Sequence, residues 1–327
     1  MKAAFIRRTG PPSVIEYGDL PAPEPGEGEV LVRVSAAAVN PVDGYIRQGL
    51  VAMTLPFPFV LGRDLAGVVE RTTAGTKRFK PGDRVWCNNQ GIGGRQGSFA
   101  EFAAVREELL YPLPGPVDFL SVAALAHSGL TVHLGLSRIG GLSAGQTVFV
   151  NGGAGSVGRA LTQVATGMGA RVIATAGTEG GRTTCLTDGA VSAIDYKSPT
   201  LDAELRAMAP EGIDVWWDAS TQQDLEFALR HMRRRGRIVM MPGLGARPIL
   251  PVDRLSEYDI SIVAFAVANA SVAEMRAAAE HINALAAADK LRARVARTFA
   301  LRDARLAHEM VENRDRRLDG KIIVVPP

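Results

Sequence analysis

The sequence predicts an α/β protein built from a small β-barrel and a six-stranded, doubly wound parallel sheet. Three observations predict it. Residues 1–115 hold short strand-like runs cut by Pro and Gly clusters such as Pro21-Ala22-Pro23-Glu24-Pro25-Gly26, the texture of a small barrel. From about 120 to 266 strand-like and helix-like runs alternate, as a doubly wound sheet requires. At the head of that alternation, residues 146–176 read as strand, glycine turn, helix and second strand.

Taken in order, barrel strands are expected at 29–34, 65–71, 83–86 and 98–105. Sheet strands are expected at 147–150, 171–175, 193–195, 214–217, 237–241 and 261–265. The basic run Arg230-His231-Met232-Arg233-Arg234-Arg235 falls where a surface helix should end, matched to its dipole. Ser271 with Glu274 forms a capping box that opens an Ala-rich helix to about residue 289. The tail offers a strand at 295–299, a helix at 303–311 and a final strand at 321–325. The expected division is 1–120 catalytic, 121–266 cofactor-binding, and 267–327 a segment completing the first domain.

The glycine turn carries the chemistry. Gly153, Gly155 and Gly158 have G-x-G-x-x-G spacing, and 35 glycines in 327 residues give about 0.4 such triplets by chance, so context must decide. Val148-Phe149-Val150 before the turn has the character of a buried strand. Val157, Ala160, Leu161, Val164, Ala165 and Met168 after it form the stripe of a helix covering a sheet. Gly153 permits the tight turn, Gly155 admits a pyrophosphate, and Gly158 lets helix and strand pack closely. With Ala154, Ser156 and Val157 they make an anion cradle at a helix N-terminus, a dinucleotide site.

The second strand chooses the dinucleotide. An acidic residue at its end would bind a ribose 2′-hydroxyl, but the chain reads Thr175-Ala176-Gly177-Thr178, with Arg182 and Tyr196 further on. Small hydroxylated residues and a guanidinium suit a 2′-phosphate, which predicts NADPH. Glu179 argues the other way if it faces the ribose, and Arg182 has the alternative of a solvated helix residue.

Composition sets bounds. A length of 327 residues, 46% hydrophobic content and 22% charge lie in the range of a two-domain globular protein. A net charge of +3 is too small and dispersed to indicate nucleic acid. Cys87 and Cys185 are far apart, outside any metal-ligand pattern, and suit a reducing compartment. The apolar run at the N-terminus is too short for a signal peptide, and no uninterrupted apolar stretch reaches about 18 residues, so a cytoplasmic location with no membrane partner is expected.

Several further motifs occur in fixed order: Met1-Lys2-Ala3, the run from Asn40-Pro41-Val42-Asp43-Gly44-Tyr45 to Gly49, Leu61-Gly62-Arg63-Asp64-Leu65-Ala66-Gly67, Lys80-Pro81-Gly82-Asp83-Arg84-Val85, and Gly320-Lys321-Ile322-Ile323. With the glycine turn they resemble, nearly end to end, the zinc-free quinone oxidoreductase branch of the medium-chain dehydrogenase/reductase superfamily, which includes zeta-crystallin. The resemblance implies a chaperonin-10-like catalytic domain completed by the tail, a Rossmann cofactor domain, and a cleft holding nicotinamide.

Zinc-dependent members of that superfamily have a Cys ligand where this chain has Asn40, and Gly-His-Glu where it has Gly62-Arg63-Asp64. No metal is therefore expected. His127 and His133 point to different faces of a helix and read as packing or cleft lining. Without a Lewis acid for an alcohol, hydride delivery from NADPH to a small hydrophobic quinone or α,β-unsaturated carbonyl is the expected chemistry. Two other readings stay open: a zinc-free dehydrogenase running oxidatively, and a non-catalytic NADPH-binding protein of crystallin-like or RNA-associated kind.

The resemblance puts Asn40, Asp43 and Tyr45 nearest the nicotinamide and acceptor. Tyr45 is a proton or hydrogen-bond donor, with solvent as its rival in that role, or a packing aromatic. Arg63 and Asp64 form an ion pair on the cleft floor or take part directly. Thr131 lies beside the nicotinamide by the resemblance, against a hydroxyl bonded to its own helix. Gly243, after the fifth sheet strand, and Phe265, at the end of the sixth, complete the expected cofactor contacts. The stretch Leu50-Val51-Ala52-Met53 lacks the second tyrosine common among zeta-crystallin-like members, which makes the pocket more apolar and favours an enone or enoyl acceptor. The run Ile260-Ser261-Ile262-Val263-Ala264-Phe265 is apolar on both faces at a sheet edge, so a homodimer through this strand is expected.

Overall fold

A computed structural model describes the chain except residues 140, 221–222, 242–243, 245 and 314–318. It divides into two compact units: Met1–His127 with Ser271–Pro327, and Ser128–Ala270.

In the first unit, the 11-residue strand Glu29–Val39, buried along most of its length with only Arg33 exposed, is the spine of a seven-stranded sheet. It pairs antiparallel with Leu65–Thr72, Phe102–Arg106 and the final strand Lys321–Val325. Arg84–Cys87, Tyr111–Pro112 and Val295–Ala300 complete this sheet, and Lys2–Ile6, Glu16–Asp19 and Phe59–Val60 form a second of three strands. The tail is part of this unit's core: Phe299, Leu301, Ala304, Ala307, Ile322 and Val324 pack with Phe5, Ile46, Leu61, Leu65 and Phe99. The capping box at Ser271 forms as expected and opens the helix Val272–Ala287. Asn283 ties that helix down, accepting from Trp86 Nε1 at 3.0 Å and donating to the Pro112 carbonyl at 2.8 Å.

The second unit holds six parallel strands in the order Ser192–Ile194, Arg171–Thr175, Thr147–Asn151, Ile213–Asp218, Met232–Met240 and Ser261–Ala264. In chain order this is 3-2-1-4-5-6, the doubly wound arrangement, whose ligands bind at the carboxyl ends of the strands where the order reverses. Phe149, Ile173, Ile194, Trp216, Leu225 and Ile238 pack one of its cores, with Phe149 and Trp216 rings 4.0 Å apart.

One expectation about the elements fails. The basic run at 230–235 does not close a surface helix. The helix Leu225–Leu229 ends before it, and Met232 already begins the fifth strand. The arginines there project from exposed backbone and Gly236 is buried, so the strand tolerates them as an extension beyond the sheet's body. Phe119–Ser137 is long and apolar enough to cross a membrane, but 72% of its apolar window is buried inside the protein, the state of a core helix.

Candidate active site

In the second unit the glycine turn is built as its spacing requires. A Cβ on Gly158 would lie 2.3 Å from the Gly152 carbonyl oxygen and 2.7 Å from Gly153 Cα, so only glycine lets the helix Ser156–Gly167 approach the strand Thr147–Asn151. A Cβ on Gly153 would meet Ala174 Cβ and Cys185 Sγ at 2.8 Å. Gly155 is exposed, caps the helix at φ −74°, and no acidic side chain stands in the first turn to oppose an anion. Ala154, Ser156 and Val157 are half-buried around it. These features fit a dinucleotide pyrophosphate.

Thr175, expected to touch the cofactor, does not face outward. Its hydroxyl is buried, donates to Asn151 Oδ1 at 3.0 Å and accepts from Gly152 N at 3.2 Å, so it braces the turn. Thr131 goes the other way. Among the described residues its buried hydroxyl has no hydrogen-bond partner, not even its own helix. Phe265 packs edge-on against Trp217, with ring centroids 6.3 Å apart. Gly243 lies outside the described residues.

At the ribose end, Gly177 lies under Tyr196, whose hydroxyl is 2.3 Å from where a Gly177 Cβ would be. Thr178 caps the next helix by accepting from Gly181 N at 3.1 Å. Arg182 is engaged elsewhere: its Nη1 pairs with Asp195 Oδ2 at 3.0 Å. The cation placed at Gly177 is Lys197, which sequence reasoning missed; its Nζ donates to the Gly177 carbonyl at 3.2 Å and lies 5.6 Å from the Tyr196 ring centroid. Only the dipeptide Tyr196-Lys197 at a strand end could have pointed to it.

The first unit gathers a second set. Asn40 stands at the end of the spine strand and caps the helix Pro41–Arg47. Its backbone N–H donates to Asp43 Oδ2 at 2.7 Å and its Nδ2 donates to Asp64 Oδ2 at 2.8 Å. The other Asp64 oxygen accepts from Asn88 Nδ2, and Asn88 Nδ2 lies 3.4 Å from His127 Nδ1. Lys321 Nζ donates to Asn40 Oδ1. Asn40, Asp43, Arg63, Asp64 and Lys321 are all buried.

Arg63 and Asp64 do not pair directly. Adjacent residues entering a strand point to opposite sides, so Arg63 donates to Asn89 Oδ1 while Asp64 turns to Asn40 and Asn88. Burial pushes the Asp43 carboxyl up to about 7, with the Asn40 amide opposing, and also raises Asp64. Burial lowers Lys321 and holds His127 well below its usual value, so that imidazole stays neutral. Tyr45 is half-buried on the same short helix, and its hydroxyl makes no hydrogen bond among the described residues.

Comparison with known proteins gives this arrangement its family. The model for the alcohol dehydrogenase GroES-like domain matches residues 26–115, as the chaperonin-10-like expectation requires, and the zinc-binding dehydrogenase model matches 156–284. Quinone oxidoreductase of Sus scrofa is 31% identical over 99% of this chain and 98% of its own length. The chain belongs to the quinone oxidoreductase branch of the medium-chain dehydrogenase/reductase superfamily. The solved Escherichia coli quinone oxidoreductase complexed with NADPH superposes on this family member with a TM-score of 0.88 at 26% identity, covering all of both chains. An NADPH-dependent alkenal/one oxidoreductase of Arabidopsis thaliana chloroplasts is 36% identical over 76% of this chain and 64% of its own.

The second matching model is named for zinc, and the residues of this chain at the corresponding positions do not fit that ion. Asn40 and Arg63 offer an amide and a cation, and burial pushes the Cys87 and Cys185 thiols up to about 12 and about 11. Among the described residues no group of three His, Cys, Asp or Glu side chains is placed to hold a metal.

Proposed function

We propose that this protein is a cytoplasmic, zinc-independent NADPH-dependent reductase of quinones or of alkenes conjugated to a carbonyl. The observation that carries the reading is the cradle of Gly153, Gly155 and Gly158 followed by a strand end, Thr175-Ala176-Gly177-Thr178, that itself has no acidic residue and has an ammonium, Lys197, on the Gly177 carbonyl. The relatives named for NADPH and for quinone or alkenal/one substrates support it.

Bound NADPH supplies the hydride. The chain's own groups bind and orient. The glycine cradle would hold the pyrophosphate, Lys197 and Tyr196 would hold the 2′-phosphate, and the Thr131 hydroxyl, which has no partner among the described residues, would be a donor for the nicotinamide end. Asn40 Nδ2 gives one hydrogen to Asp64, and in this reading its second would go to the acceptor's oxygen, where charge would develop as hydride adds. Tyr45 is the second donor to that oxygen. One acceptor, one NADPH and one proton give the reduced acceptor and NADP, so each turnover takes up one proton.

The test is the loss of NADPH absorbance, with NADH in parallel, against 1,4-benzoquinone, 9,10-phenanthrenequinone, a simple enone and an enoyl thioester. Turnover with NADPH is the expected result; tight NADPH binding with silence across all four acceptors overturns the reading. Lys197→Met should weaken NADPH on the order of tenfold and leave NADH unchanged, as a lost charged contact to a phosphate does. Equal losses for both would move the 2′-phosphate elsewhere.

The same reading includes a homodimer. The strand Ser261–Ala264 ends the sheet, bonded on one side to Met232–Met240, and Ile249 and Val252 earlier in the chain are 86% and 63% exposed. Sedimentation at micromolar concentration should give a particle of about twice the 34.7 kDa chain. A single 34.7 kDa species would remove the dimer from the proposal.

A further inference from the structure

We infer that Lys321 is a positioning residue of the reductase site, the buried cation that fixes which way the Asn40 amide faces. This inference rests on the proposed reductase reading for its activity arm, and its structural arm does not need it.

Strand register puts the two residues together. Ile322 pairs with Val39 and Val324 with Ala37 in the antiparallel ladder, so the next pair outward sets Lys321 beside Asn40. The backbone holds that end firmly: Lys321 N donates to the Arg294 carbonyl at 2.7 Å, and Gly320 stands at φ 134° where a Cβ would lie 2.3 Å from the same oxygen. Lys321 is only 7% exposed, and a buried ammonium costs several kcal/mol unless it is paired and hydrogen-bonded. Among the described residues its one hydrogen-bond acceptor is Asn40 Oδ1.

An asparagine amide can sit in either of two orientations, and its neighbours decide between them. Lys321, when protonated, has only hydrogens to give and Asp64, when ionised, only lone pairs, so together they admit a single answer: Oδ1 toward Lys321, Nδ2 toward Asp64. That answer leaves the second Nδ2 hydrogen for an acceptor's oxygen. The charged groups around the amide are Asp43 on the helix Pro41–Arg47, Arg63 and Asp64 ahead of the strand Leu65–Thr72, and Lys321; His127 on the helix Phe119–Leu134 is the remaining titratable group. Two cations face two carboxylates, and removing Lys321 leaves the carboxylates in excess. Lys321 opposes the upward shift of Asp43, so its removal raises that carboxyl further above about 7.

Lys321→Met keeps length and apolar bulk while removing the donor. It should keep NADPH affinity within about twofold, because cofactor contacts are proposed in the other unit, and lower kcat at least tenfold with little change in KM for the acceptor. Any limb of the rate profile near pH 7 should move to higher pH. The side-chain amide resonance of Asn40 should shift in nitrogen NMR, and the carbon-detected titration of Asp43 should move upward; both read the positioning even if no acceptor is ever turned over. Should the single variant unfold, Lys321→Met with Asp64→Asn removes one charge of each sign and should fold, with the Asn40 amide resonance again displaced. Wild-type kcat, pH profile and Asn40 resonance in a folded Lys321→Met protein overturn the inference.

Discussion

Gly155→Ala folds with the stability of the wild-type protein and loses NADPH, whereas Gly158→Ala loses both. The two glycines share one turn and differ in what surrounds them. A Cβ on Gly155 would meet only the Gly152 carbonyl oxygen at 3.4 Å, an ordinary contact, and its φ of −74° suits any residue. Nothing in the folded protein resists that methyl, but it points to where a pyrophosphate must approach the backbone. On Gly158 the Cβ falls 2.3 Å from a backbone oxygen and 2.7 Å from a backbone carbon, and no rotamer change relieves a backbone clash. Opening the turn by the required ångström costs about 2–3 kcal/mol of stability. It also misaligns the amides that would hold the anion. Each charged hydrogen bond contributes about 1.5–3 kcal/mol, so losing two lowers affinity by at least a hundredfold. Urea midpoints and NADPH titration of the two variants separate the cases. Undiminished NADPH binding by Gly155→Ala would place the cofactor away from this turn.

These two variants also mark what was legible in the sequence. Both glycines, the strand before them and the helix after them are local features, readable because spacing and periodicity are local. The doubly wound sheet follows from the same alternation of strands and helices, while its 3-2-1-4-5-6 order is a finding of the structure. What the sequence hid was long-range. Lys321 reads only as the first residue of the final strand, and nothing in the chain says that the strand's register sets it against a residue 281 positions earlier. Asn88 and Asn89 are equally silent until Asp64 and Arg63 separate and each needs its own partner. Arg182 was read from charge and distance along the chain, yet Asp195, at the end of the neighbouring strand, is nearer to it than a ribose site requires. The fifth strand is expected at 237–241, but its start at Met232 is hidden because four arginines within six residues look like a helix end, and a strand that outruns its sheet tolerates the same composition.

Glu312→Ala should destabilise the protein more than Arg47→Met, although the two residues form one pair. Arg47 closes the helix that carries Asn40, Asp43 and Tyr45, and its side chain is entirely buried, while Glu312 ends the helix Ala304–Glu312 with its carboxylate 28% exposed. The guanidinium donates to Glu312 Oε1 through Nη2 and to the Gly10 carbonyl through Nη1 at 2.9 Å, and its Nε has no partner among the described residues. Removing the carboxylate strands a buried charge beside one neutral carbonyl, which costs about 3 kcal/mol, the lower end of the range because water can reach the vacated side. Removing the arginine instead releases Glu312 to solvent and fills most of the space with an apolar chain, a loss of about 1–2 kcal/mol. Glu312→Gln keeps an acceptor over the guanidinium and should fall between them. His308 lies on the same helix as Glu312, buried and with Nε2 unpartnered among the described residues; burial first and Arg47 second push it down to about 3, so it stays neutral and adds no second charge beside the guanidinium. Urea melts of the three variants give the ranking, and equal midpoints for Glu312→Ala and Arg47→Met would mean that the guanidinium is solvated after all. Because this pair anchors the tail to the helix under Tyr45, Glu312→Ala should also lower kcat in conditions where it is still folded, and NADPH affinity should not change.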